Sequence, residues 1–403
     1  MKKILNLTSL ILISIFLITA CVDDNSYPIQ TKVKEFSLSP SVPAKTIVVT
    51  KADTVYTSTD SIVLRWDRTV TENGTPVYYS VVFTGENGDF ENPSYIIASN
   101  NIGWDDTLKV TPKTLDLIAE KCGIGSQGTG LIRWKVKAGN GVNYVLSDNE
   151  SSFSVTRPKG IADYPITLFL MGTATEAGDS IQNAIKGSYV RTGTFEFVTT
   201  LKPGNYYFVA SKKEGAKAFQ VTDGEISFGK NSISPATTEQ LYRIRMVLYN
   251  AESTSYEIHK MELIIPDIAS SATKSPTQGL VITEMDYKGN GMWEKKNIPG
   301  LKPDGSNITN GLQYKFRMSG KFAGDAGLTE YYYGYFTDSD PNANAGVPNN
   351  TSPESWYYCK ETNKLDKNYY RFPNGTGGKQ MDVAIYLTPG LKNYYHTCTI
   401  IEE

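Results

Sequence analysis

An all-β body made of several β-sandwich domains is the fold the sequence predicts, and three observations predict it. The chain holds 26 tyrosines among 403 residues while only 20% of its residues are charged, a composition suited to pleated, half-buried surfaces. Short β-branched or alternating runs recur, separated by turn dipeptides such as Asn73-Gly74, Asn87-Gly88 and Asn140-Gly141, which is the spacing of a sandwich. The C-terminal segment repeats the plan of the one before it with few identities, which points to a duplicated module and not to a long solenoid.

The elements follow in order. Met1-Lys2-Lys3 is a positive start, and the run from Ile4 to Ala20 is dominated by aliphatics, the layout of a secretory signal peptide. Its end, Leu17-Ile18-Thr19-Ala20-Cys21, resembles the lipobox of bacterial lipoproteins. That resemblance implies removal of residues 1–20, acylation of Cys21 and a lipid anchor in the outer membrane without a spanning segment. Asp23-Asp24 resembles the export signal that sends Bacteroidota lipoproteins to the outer face of that membrane. Residues 21–35 hold few large apolar groups and read as the lipidated tether.

Residues 36–158 form the first predicted domain. Its strands are read at Thr46 to Thr50, Ser61 to Trp66, Tyr78 to Gly85, Leu131 to Ala138 and Ser151 to Thr156. One helix interrupts them: Thr111 caps, Pro112 takes the first helical position, Leu115, Ile118 and Ala119 supply the inner stripe, and Gly123 ends it. Trp66 and Trp134 read as core residues. The order IVLRW, YYSVVF, LDLIAEKCGI, LIRWKVKAGNG, SDNESSFSVTRP resembles the N-terminal immunoglobulin/fibronectin-like domain of the SusE/SusF-like starch-utilisation lipoproteins of Bacteroidota. In that family this domain is a spacer and carbohydrate is bound by the modules after it, so the resemblance assigns no binding residue here.

Two prolines and a glycine in Arg157 to Pro165 mark a boundary. A module over 160–266 follows; its opening, ITLFLMGTATEAGDS, is similar to the first strand of the family's carbohydrate-binding modules. Lys202-Pro203-Gly204-Asn205 is its clearest turn, because proline presets one dihedral and glycine accepts the positive one. Asp267 to Gly279 reads as a linker, and 272–403 as a second, aromatic-rich β-sandwich module.

That last module carries the candidate glycan site in an insertion between framework strands. A pyranose stacks its C–H face on an aromatic ring and asks for amide, carboxylate or guanidinium partners around its edge. Trp356, Tyr357 and Tyr358, with Asn350 just upstream, form one group; Tyr369, Tyr370 and Arg371 form another; Trp293 follows a glycine-rich turn. Neighbours on a strand face opposite ways, so part of this set belongs to the core. Trp356, on a Pro-Ser-rich loop, is the first choice for ligand contact, and its replacement by Ala is expected to abolish glycan retention. Tyr331 to Tyr333 read as a buried strand.

Other chemistries find little support. A formal charge of −2 and a pI near 5.9 leave no electrostatic footprint for nucleic acid. Only His259 and His396 are available for a triad or a histidine-rich metal site, and neither G-x-S-x-G nor H-E-x-x-H occurs. Gly123-Ile124-Gly125-Ser126-Gln127-Gly128 matches a dinucleotide motif in letters but lies between a helix and a strand in the wrong order. Asp338, Asp340 and Asn342 alternate as calcium ligands do, yet Ala343 stands where an EF-hand needs glycine. Beyond the anchor, Cys122, Cys359 and Cys398 are an odd number, with Cys359 and Cys398 the candidate disulfide pair. The expectation is therefore a surface lipoprotein without enzymatic activity, metal or cofactor, holding polysaccharide or oligosaccharide beside a glycan transporter complex. The alternative is an accessory subunit whose aromatic surface packs against a protein, since interfaces are also rich in aromatic residues.

Overall fold

The computed structural model describes residues 31–39, 46–59, 61–265, 280–337, 340, 343–349, 351–362 and 367–402. The segment read as a signal peptide, Cys21, most of the segment read as a tether, the segment read as a linker from Asp267 to Gly279, and Asp338, Asn342 and Asn350 lie outside them. The chain is all-β, and its described residues form two compact units, Met1–Pro158 and Lys159–Glu403. Among them no helix is long and apolar enough to cross a membrane.

In the first unit, Leu38–Ser39, Ile62–Trp66 and Thr107–Val110 make a small antiparallel sheet. A second sheet runs Ile47–Val48, Ser151–Thr156, Thr129–Gly139, Tyr78–Gly85, Tyr95–Ala98, with only the first pairing parallel. Both sheets bury alternate residues into one core: Leu64 and Trp66 from the first, Val81, Phe83 and Trp134 from the second. The two tryptophans are core residues, 3% and 0% exposed. The helix spans Pro112–Lys121; Thr111 accepts from the Thr114 amide, Leu115, Ile118 and Ala119 face inward, and Gly123 takes φ +87°. Against its buried side Arg157 bonds Asp116 at 2.7 Å, Glu120 at 3.1 Å and the Ile124 carbonyl at 2.7 Å. That triad ties the last residues of the unit to its helix, and breaking it would strand buried carboxylates.

The second unit is organised around one strand, Glu252–Ile265, 14 residues long. Its first half pairs with Gln240–Val247 and its second half with Leu280–Gly289, while Gln313–Phe322 runs along the opposite edge. Residues before 252 build an antiparallel run from Ile185–Lys186 through Phe169–Met171, Asn205–Val209, Ala218–Thr222 and Glu225–Phe228 to the shared strand. It continues through Gln240–Val247 and Thr194–Leu201 to Ser188–Arg191.

Beyond residue 252 the strands close on themselves. From the shared strand the order is Leu280–Gly289, Met292–Pro299, Gln380–Tyr386, Tyr394–Ile400, Tyr358–Thr362, Thr329–Gly334, Gln313–Phe322 and back, an antiparallel ring of eight. The β-sandwich expected over 272–403 is corrected by this closed barrel. Its long strands carry bulges at Ile258/Lys260, Leu263/Ile264 and Lys295/Ile298, and bulges add the bend and twist that bring the two edges of a sheet together. The segment read as a linker leaves from Ile265 and returns at Leu280, and those two residues pair across the sheet.

Alternation along the barrel strands sends Phe316, Met318, Val383, Ile385, His396 and Cys398 inward. Tyr314, Phe316, Tyr370 and Phe372 pack together there, each 1% exposed or less, so the barrel is filled with side chains. Tyr332 and Tyr333 are buried, as the sequence predicts for that strand.

Candidate functional site

The aromatic residues selected from the sequence divide into three groups. Trp293 and Tyr370 are 2% and 1% exposed and belong to the barrel core, which corrects their assignment to a glycan surface. Trp293 follows a turn, but as the inward residue of Met292–Pro299 it packs on Tyr287 with ring centres 5.1 Å apart. The Tyr370 hydroxyl donates to the Tyr358 carbonyl at 2.8 Å, and the ring lies against His396.

Trp356, Tyr357, Tyr358, Tyr369 and Arg371 are half-buried. Trp356 belongs to the short helical turn Glu354–Tyr357 and packs on the core. Gly346 lies so close to its indole that an added Cβ would come within 2.5 Å of it, so part of the ring surface is already covered. Tyr357 packs on His396, Tyr358 pairs across the sheet with Tyr395, and Arg371 donates to the Gly311 carbonyl at 3.1 Å beside the Tyr369 ring. Asn350 lies outside the described residues.

His396 holds this region from beneath. Its Nδ1 is 3.0 Å from the Tyr357 carbonyl, which can only accept, so Nδ1 carries the hydrogen and Nε2 accepts from the Tyr314 hydroxyl at 2.7 Å. Burial lowers its pKa to about 3, only partly offset by the Tyr357 carbonyl. His259, read from the sequence as its counterpart, is exposed and bonds Glu257. Cys359 and Cys398 are free thiols, both pushed up to about 12 by burial. Cys359 lies opposite Tyr394, and Cys398 is four residues further along that strand, roughly 13 Å at ~3.3 Å per residue. A disulfide needs Cα atoms within about 7 Å, so the candidate pair does not form.

A different part of the second unit has the features of a ligand site. A cavity of about 410 Å³ is lined by Tyr189, Glu196, Arg245, Phe336, Glu361 and Tyr394, among others. Strand geometry places its charges. Arg243 and Arg245 share one face of Gln240–Val247 while Ile244 and Met246 fill the core on the other. Glu196 is the cross-strand partner of Arg245, and Glu361 that of Tyr333.

These groups form one network. Arg245 donates to Glu196 at 2.9 and 3.2 Å and to Glu361 at 3.3 Å. Arg243 reaches Glu361 at 2.7 Å and the Tyr333 hydroxyl at 2.8 Å, with its guanidinium 3.9 Å from the Tyr331 ring centre. The Tyr394 hydroxyl donates to the second oxygen of Glu196 at 2.9 Å. Burial pulls the Arg243 pKa down, but Tyr333, Glu196 and Glu361 outweigh it and hold the group above its ordinary value. Burial drives Tyr394 well above its usual range, with the Glu196 charge adding to it. The network is thus a fixed, charged floor, while Tyr189 at the edge is 54% exposed.

Sequence reasoning missed this cavity, although Arg243 and Arg245 alternating with Ile244 and Met246 gave a signal. Charges on alternate positions of a strand whose other face is apolar must meet solvent or another charged layer. Among the described residues no group of three or more His, Cys, Asp or Glu side chains could hold a metal. Asp340, from the suspected calcium run, bonds Thr337 through its amide.

No protein-family model and no curated protein matches the chain. Among solved structures it is similar to SusF from Bacteroides thetaiotaomicron over 92% of this chain and 77% of that one, at 12% identity and a TM-score of 0.24. At that level of superposition no residue role is carried from one protein to the other.

Proposed function

We propose that this protein is a non-catalytic glycan-binding lipoprotein, anchored through Cys21 and carried on the outer surface of the bacterium, where it retains polysaccharide for an outer-membrane importer. The resemblance of 36–158 to the spacer domain of SusE/SusF-like lipoproteins supports the setting. The observation that carries the binding function is the cavity of about 410 Å³, in which exposed Tyr189 and half-buried Phe336 stand beside the fixed Arg245–Glu361 pair. A sugar asks for this combination: ring surface for its C–H face and preorganised charged partners for its hydroxyls. Trp356, the first choice from the sequence, is partly covered by Gly346, so Tyr189 and Phe336 replace it as the principal rings, and half-buried Trp356 and Tyr369 add ring surface only for a chain long enough to leave the cavity.

The same network argues against hydrolysis. Two carboxylates can cleave a glycosidic bond when one donates a proton and the other attacks or activates water. Here both are engaged by guanidinium groups, Glu196 by Arg245 and Glu361, through one oxygen, by Arg243 and Arg245, so each carboxylate is tied into an ion pair and neither stands alone facing the cavity.

Affinity electrophoresis of the purified protein through gels containing plant, fungal and host polysaccharides tests the reading. Retardation by at least one polysaccharide, without shortening of the chain on incubation, is the expected result. Free migration through every gel would overturn it and favour an accessory subunit whose exposed Tyr189–Val190 edge meets a protein.

A further inference from the structure

The charges of the cavity do not balance, and the imbalance is directional. Arg245 on its floor and the buried Arg243 beneath face two glutamates, Glu196 and Glu361, all four joined by ion pairs. Those four neutralise one another. Two further lining residues, Lys360 and Lys392, are exposed and have no matching carboxylate among the described lining residues. The Lys360 ammonium sits 5.3 Å from the centre of the Phe336 ring, which holds it beside an aromatic face. The chain as a whole carries −2, so this positive mouth is local and does not reflect a basic protein. Low-dielectric walls concentrate the field of such a mouth, here supplied by Val190, Tyr333 and Leu391.

We infer that the cavity takes a sugar bearing an anionic group, carboxylate or sulfate, with the anion at Lys360 and Lys392 and the C–H face of the ring on Phe336 or Tyr189. This rests on the glycan-binding reading of the same cavity and narrows its ligand class. A neutral sugar would use the rings and the Arg245–Glu361 edge but leave both ammonium groups unmatched. Lysine is a point charge without the planar fork of arginine, so the mouth reads charge, and the two anion types are told apart by experiment.

The test measures binding to matched pairs of polysaccharides: polygalacturonate with its carboxyl-reduced form, dextran sulfate with dextran, and further neutral chains of plant, fungal and host type. The expected result is retention by an anionic member, weakened by added salt because the contact is exposed, with its neutral counterpart bound at least about tenfold more weakly. The carboxylate and sulfate pairs show which anion is used. The double variant Lys360→Gln/Lys392→Gln, altered only at exposed positions, should lose about tenfold in affinity for the anionic chain and keep its thermal stability. Equal or tighter binding of neutral chains, insensitive to salt and to the double variant, overturns the anionic assignment and leaves the glycan-binding reading standing. Binding to none of the polysaccharides overturns both.

Discussion

The aromatic loops of the C-terminal barrel and the charged cavity of the same unit offer opposite lessons about where a binding site is written. The loops are dense in rings over a short stretch of sequence, yet Trp293 and Tyr370 are core and Trp356 is partly covered by Gly346. The cavity draws its lining from positions as far apart as 188 and 394, which no local stretch of the sequence brings together. A cluster along the chain reports composition, whereas a cluster in space needs strand register. Tyrosine makes the two hard to separate, because one side chain serves equally to fill a barrel and to stack on a sugar.

Four perturbations break or sharpen that contrast, the largest first. His396 supports the loop region and stays neutral down to about pH 3, whereas in the unfolded chain it titrates near 6.5. Between those values the unfolded state binds the extra proton, so the stabilisation is complete above about pH 6.5 and is lost as pH falls toward 3. The shift corresponds to as much as ~5 kcal/mol. Urea unfolding across that window should show a steeper loss for the wild type than for His396→Gln; parallel curves would contradict the buried neutral imidazole.

Trp293→Ala should cost about 3–5 kcal/mol, the range for deleting a large aromatic from a core. A variant of undiminished denaturation midpoint that failed to bind glycan would return Trp293 to the surface. Glu196→Ala removes the carboxylate shared by Arg243, Arg245 and the Tyr394 hydroxyl. Leaving a buried guanidinium short of a partner should cost about 3 kcal/mol, read by the same unfolding experiment, and a change below ~0.5 kcal/mol would show the floor to be solvated. Tyr189→Ala touches an exposed ring and should leave stability within about 0.5 kcal/mol.

How much of this could be read beforehand follows from the same contrast. Period-two alternation and turn dipeptides made the all-β class and the longer strands of the first unit legible, along with the Pro112–Lys121 helix and the core roles of Trp66 and Trp134, because those signals are local; the short strands Leu38–Ser39, Tyr95–Ala98 and Thr107–Val110 went unread. The barrel was not legible. Closure depends on bulges near Ile258, Leu263 and Lys295 and on one strand serving two sets of neighbours, and nothing local separates a strand that curls from one that stays flat. The Cys359–Cys398 pairing failed for the same reason, since register puts Cys359 opposite Tyr394. Arg243 and Arg245 were visible as alternating charges, but their partners Glu196 and Glu361 lie 47 to 118 residues away in sequence.

The most direct test of the cavity as the binding site is calorimetric titration of wild type, Tyr189→Ala and Trp356→Ala with an oligosaccharide cut from the retained polysaccharide. The cavity account predicts that Tyr189→Ala weakens binding about tenfold, the size of one stacking contact, while Trp356→Ala stays within about twofold of wild type. Unchanged binding in Tyr189→Ala with binding lost in Trp356→Ala would contradict it and move the site to the barrel loops.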